Sequence, residues 1–369
     1  MTHRERILSV YRGETPDVVP FMLDLSHWFY HRFQKPWDLS KAYMEPEKEL
    51  IDYHRRAGVG FYLANLGSFV NVTYGDDVTA TVKRDGPQIT WTLATPLGTI
   101  SRVREWEECS YSWAIRQFSL NTQADLNILA YALSSRRFAP AWDRYQKWVK
   151  EVGNLGVVYI SPGYSAMGDL LGYWMGIENV MYAVADYPEF LHDIVTRINE
   201  SYLRFVDLLT QSPAEIVIMG DNFSSDVQPP RFFREWSRDY YSEAVCRLHR
   251  AGKYVAVHVD GRMRGLLNAL GEIGVDCIDA VTPTPTGDLT PQECRNEAGT
   301  KLILSGGVAP YVWLPQVPIE VFKKSVLDWL DLRKRSPRLI ANAGDQVPPG
   351  ADEQRITIMR DLVEKHGRF

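Results

Sequence analysis

Eight short apolar runs recur along the chain. They fall at residues 18–23 (VVPFML), 60–65 (GFYLAN), 157–161 (VVYIS), 216–220 (IVIMG), 254–259 (YVAVHV), 275–280 (VDCIDA), 302–305 (LILS) and 339–342 (LIAN). Each is rich in β-branched residues and bounded by Gly, Asp or Pro, the pattern of a parallel strand covered on both faces. Most are followed by a segment with helical spacing. Across residues 188–209, Phe190, Leu191, Ile194, Val195, Ile198, Tyr202, Phe205 and Leu209 form one stripe, and Pro188 suits the first turn. Residues 230–251 repeat the pattern and stop at Gly252. Thr290 and Glu293 have capping-box spacing, Gly299 closes that helix, residues 318–332 predict another, and Asp352 caps the last. The first residues predict a short amphipathic helix ending at Gly13. Strands alternating with helices predict an α/β chain folded as a single (β/α)8 TIM barrel over residues 1–369. A doubly wound nucleotide fold would show a glycine-rich turn after the first strand, whereas here Asp24-Leu25-Ser26-His27-Trp28 follows it.

One stretch, about residues 74–148, breaks the rhythm between strands two and three. Residues 78–83 and 88–93 alternate on either side of Asp85-Gly86, a hairpin signal, and a third run covers 98–103. This predicts a small antiparallel insertion beside the barrel, followed by a helical stretch through Trp148.

Composition narrows the function. The formal net charge of −5 and pI near 6.0 leave no basic face for nucleic acid. No stretch nears the roughly 20 apolar residues of a membrane span, and the N-terminus lacks a signal-peptide core. Cys109, Cys246, Cys277 and Cys294 form no CxxC pair, so reduced thiols and a cytoplasmic location are expected. A small-molecule substrate fits this profile, and a homodimer is the commonest assembly for such an enzyme.

In such barrels the reactive groups sit at the C-terminal ends of the strands. Reading past each run yields Asp24, His27 and Trp28 after strand one, Asn65 after strand two and Tyr164 after strand three. Asp221 and Asn222 follow strand four, His258 and Asp260 strand five, Gly306 and Gly307 strand seven, and Asn342 and Asp345 strand eight. Asp and Asn also favour turns, so each alone has a plain structural reading; the set pointing at one mouth does not. His258 and Asp260 lie two apart on a strand and share a side, which suits either a metal or acid–base work. Gly306 and Gly307 offer backbone N–H groups to an anion, or simply a tight turn. Asp221 and Tyr164 join His258 and Asp260 as catalytic candidates, and the remainder, Asp345 apart, are candidates for substrate binding.

In order and spacing, several segments resemble the uroporphyrinogen decarboxylase-like superfamily. They are Arg4-Glu5-Arg6-Ile7, Arg12-Gly13-Glu14-Thr15-Pro16-Asp17, Thr95-Pro96-Leu97-Gly98-Thr99, Gly220-Asp221-Asn222, His249-Arg250-Ala251-Gly252, His258-Val259-Asp260-Gly261 and Gly306-Gly307-Val308. The Thr95–Thr99 segment looks more like the zinc- and corrinoid-linked methyltransferase branch. The arginine-bearing segment that true decarboxylases carry after strand one is absent, which argues against a porphyrinogen substrate. The methyltransferase branch binds zinc through a His-x-Cys pair and a further Cys. This chain keeps His258 but has Asp260 and Asp345 at the cysteine positions. The resemblance leaves open a site for zinc or another divalent metal at His258, Asp260 and Asp345, a metal-free acid–base site, or lost chemistry. It implies a methyltransferase-like enzyme acting on a small methylated compound, such as a methoxy-aromatic or methylamine, with a corrinoid protein as possible acceptor. A cofactor-free decarboxylase or lyase acting on a non-porphyrin substrate, and a catalytically silent binding barrel, are the alternatives.

Overall fold

The computed structural model describes residues 1–35, 39, 43–63 and 69–369. Eight strands follow one another as expected: Met22–Leu23, Gly60–Phe61, Ile160–Gly163, Ile216–Phe223, Tyr254–Val259, Cys277–Val281, Ile303–Gly307 and Leu339–Asn342. The last six pair in chain order, all parallel, and the first two pair parallel to each other. Single parallel bridges, Phe21 to Ala341 and Phe61 to Gly156, join that pair to both edges of the six. The result is the (β/α)8 barrel predicted from the pattern.

Residues alternate across each strand, so one parity faces the barrel axis and the other the helices. The inner parity builds a closed apolar plug from Met22, Tyr159, Ile216, Ile218, Ala256, Cys277, Ile303 and Ile340. The N-terminal helix His3–Tyr11 seals the strand-start end, where Ile7, Leu8, Val10 and Tyr11 join the same cluster and Tyr11 meets Tyr254 at 5.5 Å. The other parity, including Val217, Met219, Val255, Val257, Ile278 and Leu304, packs outward under the helices. Continuing the inner parity past the apolar plug leads to the polar mouth, so the same two-residue period builds both core and site.

The long helix is Pro188–Thr210, and Asp352 accepts from the Gln354 amide as a cap. The Thr290/Glu293 capping box is present. The helix expected over 230–251 is two, Pro230–Trp236 and Arg238–Arg250, broken at Ser237, whose buried hydroxyl donates to Gln228. The insertion holds four antiparallel strands rather than three: Thr79–Asp85, Gln88–Thr95, Gly98–Glu107 and Ser112–Gln117. The helical stretch expected through Trp148 is also divided. Helices Gln123–Ser134 and Trp142–Val152 flank a strand, Arg137–Pro140, paired with Val70–Thr73. Phe138 stacks on Phe205 at 4.7 Å, burying that strand's apolar side chain against the long helix. Among the described residues no helix is long and apolar enough to cross a membrane.

Candidate active site

His258 on strand five and Asp279 on strand six are register partners, and both belong to the inward parity. Their side chains meet directly: His258 Nδ1 donates to Asp279 Oδ2 at 2.9 Å. The Tyr62 hydroxyl donates to the same oxygen at 2.6 Å, and the Ser305 hydroxyl donates to Oδ1 at 3.2 Å. Asn342 Nδ2 in turn donates to Ser305 Oγ at 3.4 Å. Asp279 is thus a buried carboxylate with donors on both oxygens, its side chain 2% exposed against 15% for His258. Gly220 on strand four leaves room for the ring, since a Cβ there would lie 3.0 Å from the His258 Cβ.

Burial works against a charged imidazole, but the Asp279 hydrogen bond and charge, with Asp345 and Asp260 beyond, raise His258 to about 9. At neutral pH it is an imidazolium. Two carboxyls nearby behave in the opposite sense. Burial pushes Asp345 up to about 7, with Asp260 and Asp24 adding repulsion and His258 opposing it. Burial also pushes Asp24 up to about 6, although it accepts from both the Ser26 amide and hydroxyl.

These groups line one cavity of about 680 Å³, together with Asp260, Asn342 and Tyr62. Such a volume suits a small organic ligand. The wall contributed by strands three and four holds Tyr164 and Asn222: the Tyr164 hydroxyl donates to Asn222 Oδ1 at 3.0 Å and accepts from Tyr173 at 3.0 Å. Asn222 sits at φ +47°, a left-handed conformation that Asn tolerates well. The insertion supplies a further wall, with Trp91, Arg102 and Arg104.

Several sequence candidates stand elsewhere. Asp221 has the outward parity and is fully engaged by the Ser165 amide and hydroxyl and by the Tyr241 hydroxyl, so it braces the loop after strand three. Trp28 is a core residue: its ring packs on Tyr53 and its indole N–H donates to the Ala351 carbonyl at 3.0 Å. His27 lies on the helix Ser26–Arg32, outside the cavity lining, where burial pushes it down to about 4. Asn65 lies outside the described residues. Gly306 and Gly307 are glycines for packing. At φ +150° and +114°, a Cβ would lie 2.2 Å from the Val281 carbonyl oxygen and 2.2 Å from the Trp329 ring, respectively. Gly306→Ala is therefore expected to cost about 2–4 kcal/mol. A melting experiment checks this, and an unchanged Tm with weakened anion binding would restore the anion-nest reading.

Among the described residues no three His, Cys, Asp or Glu side chains come together closely enough to hold a metal ion. The suggested His258, Asp260 and Asp345 set is therefore not brought together as ligands among the described residues, and His258 Nδ1 is committed to Asp279.

Of the residues singled out in the sequence, His258, Asp260, Asp345, Asp24, Asn222, Asn342 and Tyr164 line the cavity, whereas Asp279, Tyr62, Arg102 and Arg104, which also line it, were not singled out. Asp279 carried a usable signal. A carboxylate inside the otherwise apolar strand Cys277–Val281 needs a buried partner.

A model of the family uroporphyrinogen decarboxylase (URO-D) matches residues 159–366, more than half of the chain. No curated protein sequence gives a significant match. Among solved structures, a methyltransferase from Methanosarcina mazei superposes with a TM-score of 0.64 at 13% identity, covering 99% of each chain. A D-psicose 3-epimerase from Clostridium cellulolyticum H10 reaches a TM-score of 0.38 at 11% identity, covering 62% of this chain and 85% of its own.

Proposed function

Because the chain belongs to the uroporphyrinogen decarboxylase family, we propose that it is a methyltransferase-type enzyme that demethylates a small methylated compound, with His258 as general acid. The observation that carries this reading is the His258–Asp279 pair: an imidazolium in the cavity wall, its Nδ1 fixed by a carboxylate that Tyr62 and Ser305 hold in place.

Demethylation breaks a bond between the methyl carbon and a heteroatom. The electron pair stays on the heteroatom, which needs a proton to leave as an alcohol or amine. His258 Nε2 supplies that proton, and the positive charge is stabilising while negative charge develops on the leaving atom. Asp345, with a carboxyl near neutrality, is suited to exchange the proton with His258 afterwards. Tyr164, Asn222 and Asn342 offer polar contacts that orient the substrate, and Asp24 and Asp260 complete the polar floor. A corrinoid on a partner protein, the acceptor that the family resemblance implies, would supply the nucleophile that takes the methyl group.

A second reading, decarboxylation of a non-porphyrin acid, draws on the same proton donor: carbon dioxide leaves and His258 protonates the carbon. One experiment separates the two. The purified protein is incubated without oxygen with methoxybenzoates and methylamines, carrying labelled carboxyl groups where present, and with chemically reduced cobalamin as acceptor. Methylcobalamin absorbance and the demethylated product by mass spectrometry are the expected results. Labelled carbon dioxide without demethylation would replace this reading by the second. Bound but unchanged substrate would make the chain a silent binding barrel.

A further inference from the structure

We propose that Arg102 and Arg104 form a carboxylate-binding subsite in the insertion wall, so that the substrate is an aromatic carboxylic acid held by its carboxylate there. This deepens the substrate class of the site described above and rests on that cavity being the substrate site.

Both arginines sit on the insertion strand Gly98–Glu107, two residues apart, and so on one face. Both line the cavity that His258 lines. The Nε of each is buried without a hydrogen-bond partner. With the Nε atoms closed off, the donors that a ligand in the cavity can meet are those at the guanidinium ends. The surroundings pack aromatic rings against both guanidiniums. The Arg102 guanidinium lies 4.4 Å from the Trp174 ring centroid and 5.3 Å from that of Trp91, and the Arg104 guanidinium lies 4.7 Å from the Tyr173 centroid. Rings against a guanidinium face leave its edge for planar, two-pronged recognition of a carboxylate.

Charge points the same way. The nearby carboxylate is Asp169, which also lines the cavity. It accepts from the Tyr202 hydroxyl and feels Arg136, Arg102 and Arg104 together. Three guanidiniums around one carboxylate leave this end positive. At the barrel end Asp24, Asp260, Asp279 and Asp345 surround the single His258, leaving it negative. Arg102 is destabilised by burial and then by the Arg104 charge, so an anion between the two would relieve both. The cavity is thus polarised along its length. An acid with an aromatic body would lie with its carboxylate at the arginines, its ring among Trp91, Tyr164 and Tyr173, and its reacting group toward His258.

Calorimetric titration of the whole protein, with no methyl acceptor present, tests this through binding alone. The probes are para-methoxybenzoate, neutral methoxybenzene and inorganic phosphate. Wild type is expected to bind para-methoxybenzoate better than either of the others. Arg102→Met and Arg104→Met should each weaken that acid about 10- to 100-fold and leave methoxybenzene unchanged, as expected for a lost charged hydrogen bond. Arg104→Lys, which keeps the charge but not the fork, guards against a variant that misfolds and should fall between. Wild type that binds no benzoate, or Met variants that bind it undiminished, would overturn the proposal, as would phosphate binding as tightly as the acid. Acid binding that depends on the arginines, in a protein that fails to demethylate, would sink the methyl-transfer reading alone. Equal demethylation of methoxybenzene and its acid would sink the subsite alone.

Discussion

His258→Gln is expected to lose about 10²–10⁴-fold in kcat/KM, the usual contribution of a positioned general acid. Affinity for substrate should change by no more than a few fold. The reason lies in where the ring sits. Its Nδ1 is committed to Asp279, and the ring lines the cavity, which leaves Nε2 as the proton donor toward substrate. Gln can still donate an amide N–H toward Asp279, so the buried carboxylate keeps a partner, but it cannot release a proton at neutral pH. The arginine wall contributed by the insertion is untouched, so binding should survive. Steady-state kinetics beside a melting curve separate the two effects: a kcat loss with Tm within a few degrees supports the acid role. A variant that kept more than a tenth of wild-type kcat/KM would remove His258 from the chemistry.

How far this site could be read from the amino-acid string depends on which interactions are local. The barrel followed from eight apolar runs because the two-residue and 3.6-residue periods are properties of neighbouring positions. The rule that polar groups gather at strand ends brought out His258, Asp260, Asn342 and Asp345. It failed where parity or packing decides. Asp221 and Asn222 are adjacent at one strand end, yet Asn222 faces the cavity and Asp221 is bound from behind by Ser165 and Tyr241. Counting inward positions from Ile216 and Ile218 to Gly220 and Asn222 would have separated them. The same count from Cys277 reaches Asp279, which passed unnoticed because it lies inside its strand rather than after it. Trp28 and Gly306 look functional beside the motifs, and only long-range packing against Tyr53, Ala351 and Val281 shows otherwise.

Arg102 and Arg104 mark a different limit. Arg102 lies in the third predicted run, residues 98–103, and Arg104 just past it, and nothing in their local pattern singles them out. What brings them to the barrel mouth is how the four-stranded insertion is placed, and no local period encodes that. His258 and Asp279 belong to the inward parity of the barrel strands, whereas Arg102 and Arg104 come from the inserted sheet.

The Asp279→Asn variant tests that parity argument at its centre. With the carboxylate gone, His258 loses the largest of the effects that raise it while burial still lowers it, so its pKa should fall from about 9 toward its ordinary value of about 6.5. In wild type the alkaline limb of kcat/KM then lies near pH 9, reflecting loss of the imidazolium. In the variant that limb should move to lower pH, and if it reaches the ordinary value of about 6.5, roughly 30-fold of activity should disappear at pH 8. Lowering the pH should restore part of it, which a merely unfolded protein would not show. The sign for stability runs in parallel. A histidine whose folded pKa is raised contributes fully below about pH 6.5, and its contribution fades as the pH rises through about 9. Wild-type Tm should therefore carry a His258 component that declines between those values, and in the variant that component should be missing. Tyr62 and Ser305 would still hold an amide at position 279, so the ring's surroundings stay in place while its charge changes. An alkaline limb that stayed near pH 9 in Asp279→Asn would show that some other group sets the proton supply, and the pair of register partners would lose its role.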